Sequence, residues 1–410
     1  MYTRNTIVAV RPFIRQPDGQ DVIIGNPDTG MFLAVPVEAV QLLDYLAQGM
    51  TVGESSDLYQ QKYGETPDME DFLGLLESKG LVQAADVESQ NGGKIEQSNA
   101  SSPRTRYHFS NFPQQLAQRL FSYPVCWSAF AIIVLAVWAA ARNPWLRPVP
   151  QDLYFPDRRG LSLTLWVAAS YATIFLHELA HLIAARAVGV NSRMGISYRL
   201  WYLVAETDLT GLWAVPKQQR YMPMLAGMLL DAVSGAALIL ALFGGQIATH
   251  TLSVFWVRLI RAMIFMYVMR ILWQFFLFVR TDLYYVIAAL FNCRNLLADT
   301  GVWLRNLLSR AFPWLTPIDQ SGVPAAERRF IRVYAVLLVT GRLWAVFTLF
   351  WVTVPVTMSY LHDVVGAFRA GYSANPGNFA DAVLAASYFL VPTVAGIVLW
   401  AGGILRQERT

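Results

Sequence analysis

The chain has 410 residues, of which 55% are apolar and 13% aromatic, and its formal net charge is only +4. This is more apolar surface than one soluble core of this length would use, so the composition predicts a membrane protein. The basic residues are scattered among Trp and Phe, which gives no support for nucleic-acid binding. Cys126 and Cys293 are too far apart in the sequence to suggest a disulfide framework or a CxxC metal motif.

Residues 1–84 have the pattern of a small soluble domain. Short apolar runs between turn signals predict strands, apolar residues at helical spacing predict helices, and Leu81 and Val82 predict a closing strand. The predicted strands are 8–14, 22–24 and 31–35, and the predicted helices are 37–47, 52–63 and 67–78. Three strands followed by three helices indicate a winged-helix-like α+β module. Because the N-terminus lacks the pattern of a secretory signal, this module is expected in the cytosol.

Residues 85–110 are predicted to be a flexible linker between this module and a membrane domain at 111–410. As far as Arg106 the segment is polar, rich in Ser, Asn and Gly, and has no apolar periodicity. Such a composition cannot bury enough apolar surface to fold by itself.

The chain from Phe112 onward predicts a multi-span α-helical membrane domain. A transmembrane helix needs about 20 predominantly apolar residues. By that measure we expect about six spans, at 125–141, 161–188, 222–243, 255–279, 333–358 and 379–405.

Arginine placement in the short loops predicts the orientation of these spans. The loop 280–332 contains seven arginines, whereas 244–254 contains none and 359–378 contains only Arg369. Cytoplasmic loops carry an excess of Lys and Arg, so 280–332 and both termini are expected in the cytosol. The loop 142–160, with four arginines, disagrees with this orientation.

The motif His177-Glu178-Leu179-Ala180-His181 lies inside the second predicted span. On a helix, His177 and His181 project from one face, so their imidazoles can bind the same zinc ion, and Glu178 lies beside the metal as a general base. Ionisable residues inside a span are costly and persist mainly where they pair or bind something. The alternative is a metal-free arrangement in which these side chains bond to neighbouring helices.

A catalytic zinc requires a third protein ligand. The other histidines lie at the linker or in predicted outer loops, so a carboxylate is expected. Sequence spacing does not choose among the candidates, which are Glu206, Asp208, Asp231, Asp282 and Asp299.

Residues 194–215 form neither a long apolar run nor a polar loop. The alternating pattern of SYRLWYLVA predicts a re-entrant hairpin that could pair with an extended peptide substrate. The alternative is an amphipathic segment on the bilayer surface.

The stretch from Leu176 to about Leu296 resembles the site-2 protease family of intramembrane zinc metallopeptidases, within its branch of putative peptide zinc metalloproteases. The similar pieces are, in order, HELAH, ETDLTGLWAVPKQQRY, LAGMLLDAVSGAAL and FFLFVRTDLYYVIAALFNCRNL.

This resemblance implies a zinc cofactor with Asp282 as the third ligand, and substrate contacts from Thr207 and Asp208. Asp231 stands where the family has Asn, which makes it a rival third ligand. Its other interpretation is an ion pair with Arg270 or Arg342, and Asp282 has an alternative as an ordinary residue at the membrane boundary.

Two further departures from the family concern substrate binding. Phe276 and Leu277 stand where the family has Asn-Pro, a pair that helps to hold substrate, and Leu283 replaces a Gly.

The N-terminal module is similar to PqqD-type peptide-recognition domains, through DTGMFLAVP, VEAVQLLDYLAQGMTVGE and FLGLLESKGLVQ. Together the two resemblances predict a multi-pass protease of the bacterial inner membrane that cleaves a peptide precursor, or a membrane-embedded peptide, near the cytosolic face. The alternative is a non-proteolytic peptide-binding, export or immunity protein that retains the scaffold.

Overall fold

The structure is a computed structural model, and it describes residues 2–19, 21–26, 30–84, 106–108, 112–153, 159–199, 202–248, 253–293 and 295–407. Most of the predicted linker lies outside these ranges. The chain divides into two compact units. The first comprises Met1–Ala117, Ala185–Gly195 and Thr207–Met222, and the second comprises Gln118–Ala184, Ile196–Glu206 and Pro223–Thr410.

The N-terminal module contains five strands, β1 (Val8–Val10), β2 (Ile14–Asp18), β3 (Asp21–Asn26), β4 (Met31–Pro36) and β5 (Val82–Ala84). Strands β2, β3 and β4 form an antiparallel meander. The prediction of one strand at 8–14 was wrong, because β1 ends at Val10 and pairs with the closing strand β5. Pro12, which has no N–H to donate to a ladder, separates β1 from β2.

Three helices follow, and the sequence predicted their bounds closely. They are α1 (Val37–Ala47), α2 (Val52–Tyr63) and α3 (Met69–Ser78). Thr51 and Glu54 form a capping box at the start of α2, and Gly64 ends it with a φ of 76°. The apolar faces of these helices pack with the strands into one buried core that includes Ile24, Leu43, Leu73, Leu76 and Leu81.

The predicted hairpin at 194–215 is built from two neighbouring strands. Strand β6 (Arg106–His108) forms a three-stranded sheet with β7 (Arg193–Arg199) and β8 (Tyr202–Asp208), in the order β6-β7-β8. A short 3-10 helix, Thr210–Ala214, follows β8. The hairpin is thus confirmed as secondary structure, and its position at membrane depth stays a prediction.

Helices make up most of the remaining chain. They are α4 (Gln114–Leu120), α5 (Tyr123–Arg142), α6 (Arg159–Ala187), α7 (Lys217–Ala248), α8 (Val254–Trp273), α9 (Asp282–Leu290), α10 (Leu296–Leu308), α11 (Ala325–Thr348), α12 (Val354–Ala370) and α13 (Pro376–Gln407). A π-helical turn at Leu349–Thr353 joins α11 to α12 without a break.

Four helical segments of the described chain are long and apolar enough to cross a membrane. They are Tyr123–Arg142, Ser162–Ala187, Lys217–Gly245 and Glu327–Ala370. The predicted fourth span forms α8, which has 20 residues but also carries Arg258, Arg261 and Arg270. The predicted total of six spans stays a prediction.

The first unit contains a buried ion pair between the N-terminal module and chain from later in the sequence. The 3-10 helix Thr210–Ala214 contacts β2, β3 and β4, and Nη1 of Arg220 donates to Oδ1 of Asp18 over 3.3 Å. The Arg220 side chain is 1% exposed, and its guanidinium lies 5.0 Å from the centre of the Trp213 ring. The module is therefore attached to this segment by more than the covalent linker.

Replacing Asp18 with Ala leaves Arg220 buried without this carboxylate. Removing one partner of a buried ion pair costs about 3–5 kcal/mol, so we expect D18A to loosen the packing of Thr210–Ala214 on the sheet. Hydrogen exchange in that segment should become faster. The control is D44A, which breaks an exposed pair with Arg15; equal exchange in D18A, D44A and wild type would show that the Asp18 pair does not secure the module.

Candidate metal centre

The two histidines of the sequence motif lie on one face of α6 with their rings close together. The ring centroids of His177 and His181 are 4.9 Å apart, and their Nε2 atoms are 3.2 Å apart. Both side chains are buried, at 7% and 2% exposure. The four-residue spacing on a helix accounts for this arrangement.

Asp282 brings a third donor atom to the same point from α9. Its Oδ2 lies 3.0 Å from Nε2 of His177 and 3.4 Å from Nε2 of His181. Thr281 caps α9 by accepting from the N–H of Tyr284, which fixes the backbone next to Asp282. Among the described residues, these three side chains form the group whose donor atoms could hold a metal ion.

The other ring nitrogen of each histidine already has an acceptor. Nδ1 of His181 lies 2.7 Å from the carbonyl oxygen of Pro223, and Nδ1 of His177 lies 2.8 Å from Oδ2 of Asp231. Because a carbonyl oxygen can only accept, the Nδ1 of His181 carries a proton, and the carboxylate of Asp231 favours the same tautomer in His177. In the neutral rings both Nε2 atoms therefore present lone pairs to each other and to Asp282.

This donor set could hold a metal ion, and its spacing is compatible with zinc. With both rings neutral, the lone pairs and the carboxylate oxygen at such distances repel one another unless a proton or a metal ion lies between them. Tetrahedral ligands about 2.0–2.1 Å from zinc are about 3.3 Å from one another, and the three separations here are 3.0, 3.2 and 3.4 Å. Two histidines and one carboxylate would leave one position open, as catalytic zinc sites require.

Gln274 contacts Asp282 at two points, the carboxylate and the backbone N–H. Its Nε2 donates to Oδ2 of Asp282, and its Oε1 accepts from the backbone N–H of Asp282, each over 3.0 Å. Thr281 donates in turn to the carbonyl of Gln274. Sequence reasoning missed Gln274, although a polar side chain between Trp273 and Phe275 in an apolar run was a usable signal.

Asp231 lies on the opposite side of the His177 ring from the converging donor atoms. It contacts Nδ1 rather than Nε2, and it forms an ion pair with Arg270 at 2.7 Å. The structure thus brings Asp282, and not Asp231, to the Nε2 atoms. Arg270 is one of the two arginines that the sequence predicted as partners for Asp231, so this ion pair is confirmed.

The structure also describes the other predicted site residues, Glu178, Thr207 and Asp208. Glu178 follows His177 on α6 and is partly buried. Thr207 and Asp208 end β8 and belong to the first compact unit. Asp208 accepts from the N–H of Thr210 and pairs with Arg193 at 3.3 Å, so it also has a structural role at the end of the hairpin.

Comparisons with protein-family models, with curated proteins and with solved structures found no match.

Gly227 on α7 allows the His177 ring to approach the helix backbone. A β-carbon at this position would lie 2.5 Å from Cδ2 and Cε1 of His177, and closer still to Nε2. Such contacts are shorter than real carbon contacts, so even alanine requires the imidazole to move.

We expect G227A to weaken zinc affinity by about tenfold or more, because displacing a ligand acts on the metal directly. G244A is the matched control, since a β-carbon at Gly244 on the same helix meets nothing within 4 Å among the described residues. Zinc content of the purified proteins measures the difference. Equal zinc content in the two variants would contradict the role of His177 as a ligand.

Proposed function

We propose that this protein is a membrane-embedded zinc metallopeptidase that cleaves a peptide precursor or a membrane-embedded peptide. The observation that carries the proposal is the convergence of three donor atoms from His177, His181 and Asp282, with the protonated Nδ1 atoms turned away. Glu178 follows the first of these ligands on α6, which is the position of the general base in an HExxH motif.

A zinc ion held by the three side chains would supply Lewis acidity to the scissile carbonyl and to an attacking water molecule. Glu178 takes a proton from that water as its oxygen bonds to the carbonyl carbon. Glu178 then delivers the proton to the nitrogen of the leaving amine as the C–N bond breaks. The overall reaction adds one water molecule across one peptide bond, and no covalent intermediate with the protein is required.

The proposed location is the bacterial inner membrane, with several spans and both termini in the cytosol. The four apolar helical segments support a membrane location, and the arginine-rich loop 280–332 supports the orientation. The motif helix α6 contains one of the four segments, so the metal centre is built partly on a proposed span.

The proposed substrate is a short peptide whose leader binds the N-terminal module. The three-stranded sheet β2-β3-β4 supports this part of the proposal, because an extended peptide can add a strand to the edge of a sheet. A recognition module on the same chain would raise the local concentration of substrate, and modest leader affinity would then suffice.

The general base can be tested with E178Q, which keeps the size of the side chain and removes its basicity. We expect hydrolysis to fall by about 10²-fold or more, with zinc content unchanged because Glu178 is not a ligand. Processing of a co-expressed precursor peptide, followed by mass spectrometry, measures this, with fluorescent casein as a second substrate.

The matched control is E327Q, which makes the same change in the first turn of α11 and should leave the rate unchanged. Equal rates in E178Q and wild type would argue against the protease and favour the non-proteolytic peptide-binding, export or immunity protein.

A further inference from the structure

We propose that Asp231 is a positioning residue that holds His177 in its metal-binding orientation, and that Arg270 fixes Asp231 in turn. This inference rests on the proposed metal site and deepens it. The ion pair between Asp231 and Arg270 would then serve to orient the imidazole of His177 toward the metal.

The contacts among these side chains are short and buried. Oδ2 of Asp231 accepts from Nδ1 of His177 and from Nε of Arg270, each over 2.8 Å. Oδ1 of Asp231 accepts from Nη2 of Arg270 over 2.7 Å. The guanidinium thus binds the carboxylate at two points, which fixes the plane of the carboxylate as well as its position.

The remaining end of Arg270 is also held. Its Nη1 donates to Oγ1 of Thr173 over 3.0 Å, and Thr173 donates to the carbonyl of Ala169 one turn earlier on α6. The ring of Tyr267 lies 5.2 Å from the guanidinium carbon. These contacts join α6, α7 and α8 around the ring of His177.

A simple hydrogen-bond acceptor for Nδ1 does not require charge. An asparagine oxygen at position 231 could accept the same hydrogen bond, and the Pro223 carbonyl serves His181 in this way without any ion. The buried carboxylate of Asp231 and the largely buried guanidinium of Arg270 are both costly to desolvate, so neither is expected without the other. The ion pair adds a fixed orientation. Because Arg270 donates to both carboxylate oxygens of Asp231, the carboxylate cannot rotate without losing a hydrogen bond.

A carboxylate on the outer nitrogen of a ligating histidine also makes the inner nitrogen a stronger ligand. Asp231 is 1% exposed, so water does not screen this effect. Both consequences predict that the Asp231 and Arg270 pair raises the affinity of the metal site.

The test compares metal affinity in D231N and R270K with that in wild type. D231N keeps the acceptor for Nδ1 and removes the charge, whereas R270K keeps the charge but loses the two-point contact and the bond to Thr173. We expect zinc affinity, measured by chelator competition, to fall by about 10–100-fold in D231N, with a smaller loss in R270K. The visible spectrum of the cobalt(II)-loaded protein should change in both variants, because ligand geometry determines it.

The matched control is D152N. Asp152 pairs with Arg261 at 2.8 Å, with both side chains largely buried, and Arg261 lies on the same helix as Arg270. This variant removes the charge from an Asp–Arg pair of α8 whose arginine also donates to the carbonyl oxygens of Trp145 and Arg147, and not to the metal centre. A merely structural role for Asp231 predicts equal metal affinities in D231N and D152N, and that result would overturn the inference.

The outcomes separate this inference from the proposed function. If wild type binds neither zinc nor cobalt, the metal site itself is wrong and the inference fails with it. If wild type binds metal and D231N binds it equally well, only the positioning role fails. If D231N does not fold, R270K decides: an unchanged cobalt spectrum and zinc affinity in R270K would overturn the inference.

Discussion

Three electron pairs converge between helices α6 and α9, and with both rings neutral they would repel one another without a proton or a metal ion among them. Two belong to Nε2 atoms whose rings are held by acceptors on α7, and the third belongs to a carboxylate held by Gln274. The absence of a side chain at Gly227 provides the space for one of the rings. Each of these contacts serves to keep together groups that would otherwise move apart, which is the expected arrangement around a bound metal ion.

Local features of the chain were predictable from sequence, and the long-range partners were not. The three N-terminal helices follow from apolar spacing and caps, and the common face of His177 and His181 follows from the helical repeat. Asp282 lies 105 residues from His177, and no periodic pattern connects positions that far apart. Family resemblance, rather than spacing, selected it. The acceptor for His181 was not visible in sequence at all, because every residue has a backbone carbonyl.

Two of the three arginines of α8 show how a charged helix can belong to an apolar bundle, whereas Arg258 is exposed. Arg261 donates to Asp152 and Arg270 donates to Asp231, so both guanidinium groups pair with an aspartate of another segment. Counting charges along the helix therefore underestimates how well it fits the interior, because a pair of opposite charges is far less costly to bury than either alone. The aspartate partners of such a helix, as well as its own composition, therefore determine how readily it can lie inside an apolar bundle.

The π-helical turn at Leu349–Thr353 determines which sides of the long α11–α12 rod meet their neighbours. One extra residue in a turn rotates everything beyond it by about 100° around the axis relative to an uninterrupted α-helix. Upstream of the turn the rod packs on α10, and downstream it packs on α13. Deleting a single residue from this turn would restore an ideal helix but would swing the downstream face away from α13. The π-helical turn thus allows one continuous helix to pack against α10 on one side and against α13 on another.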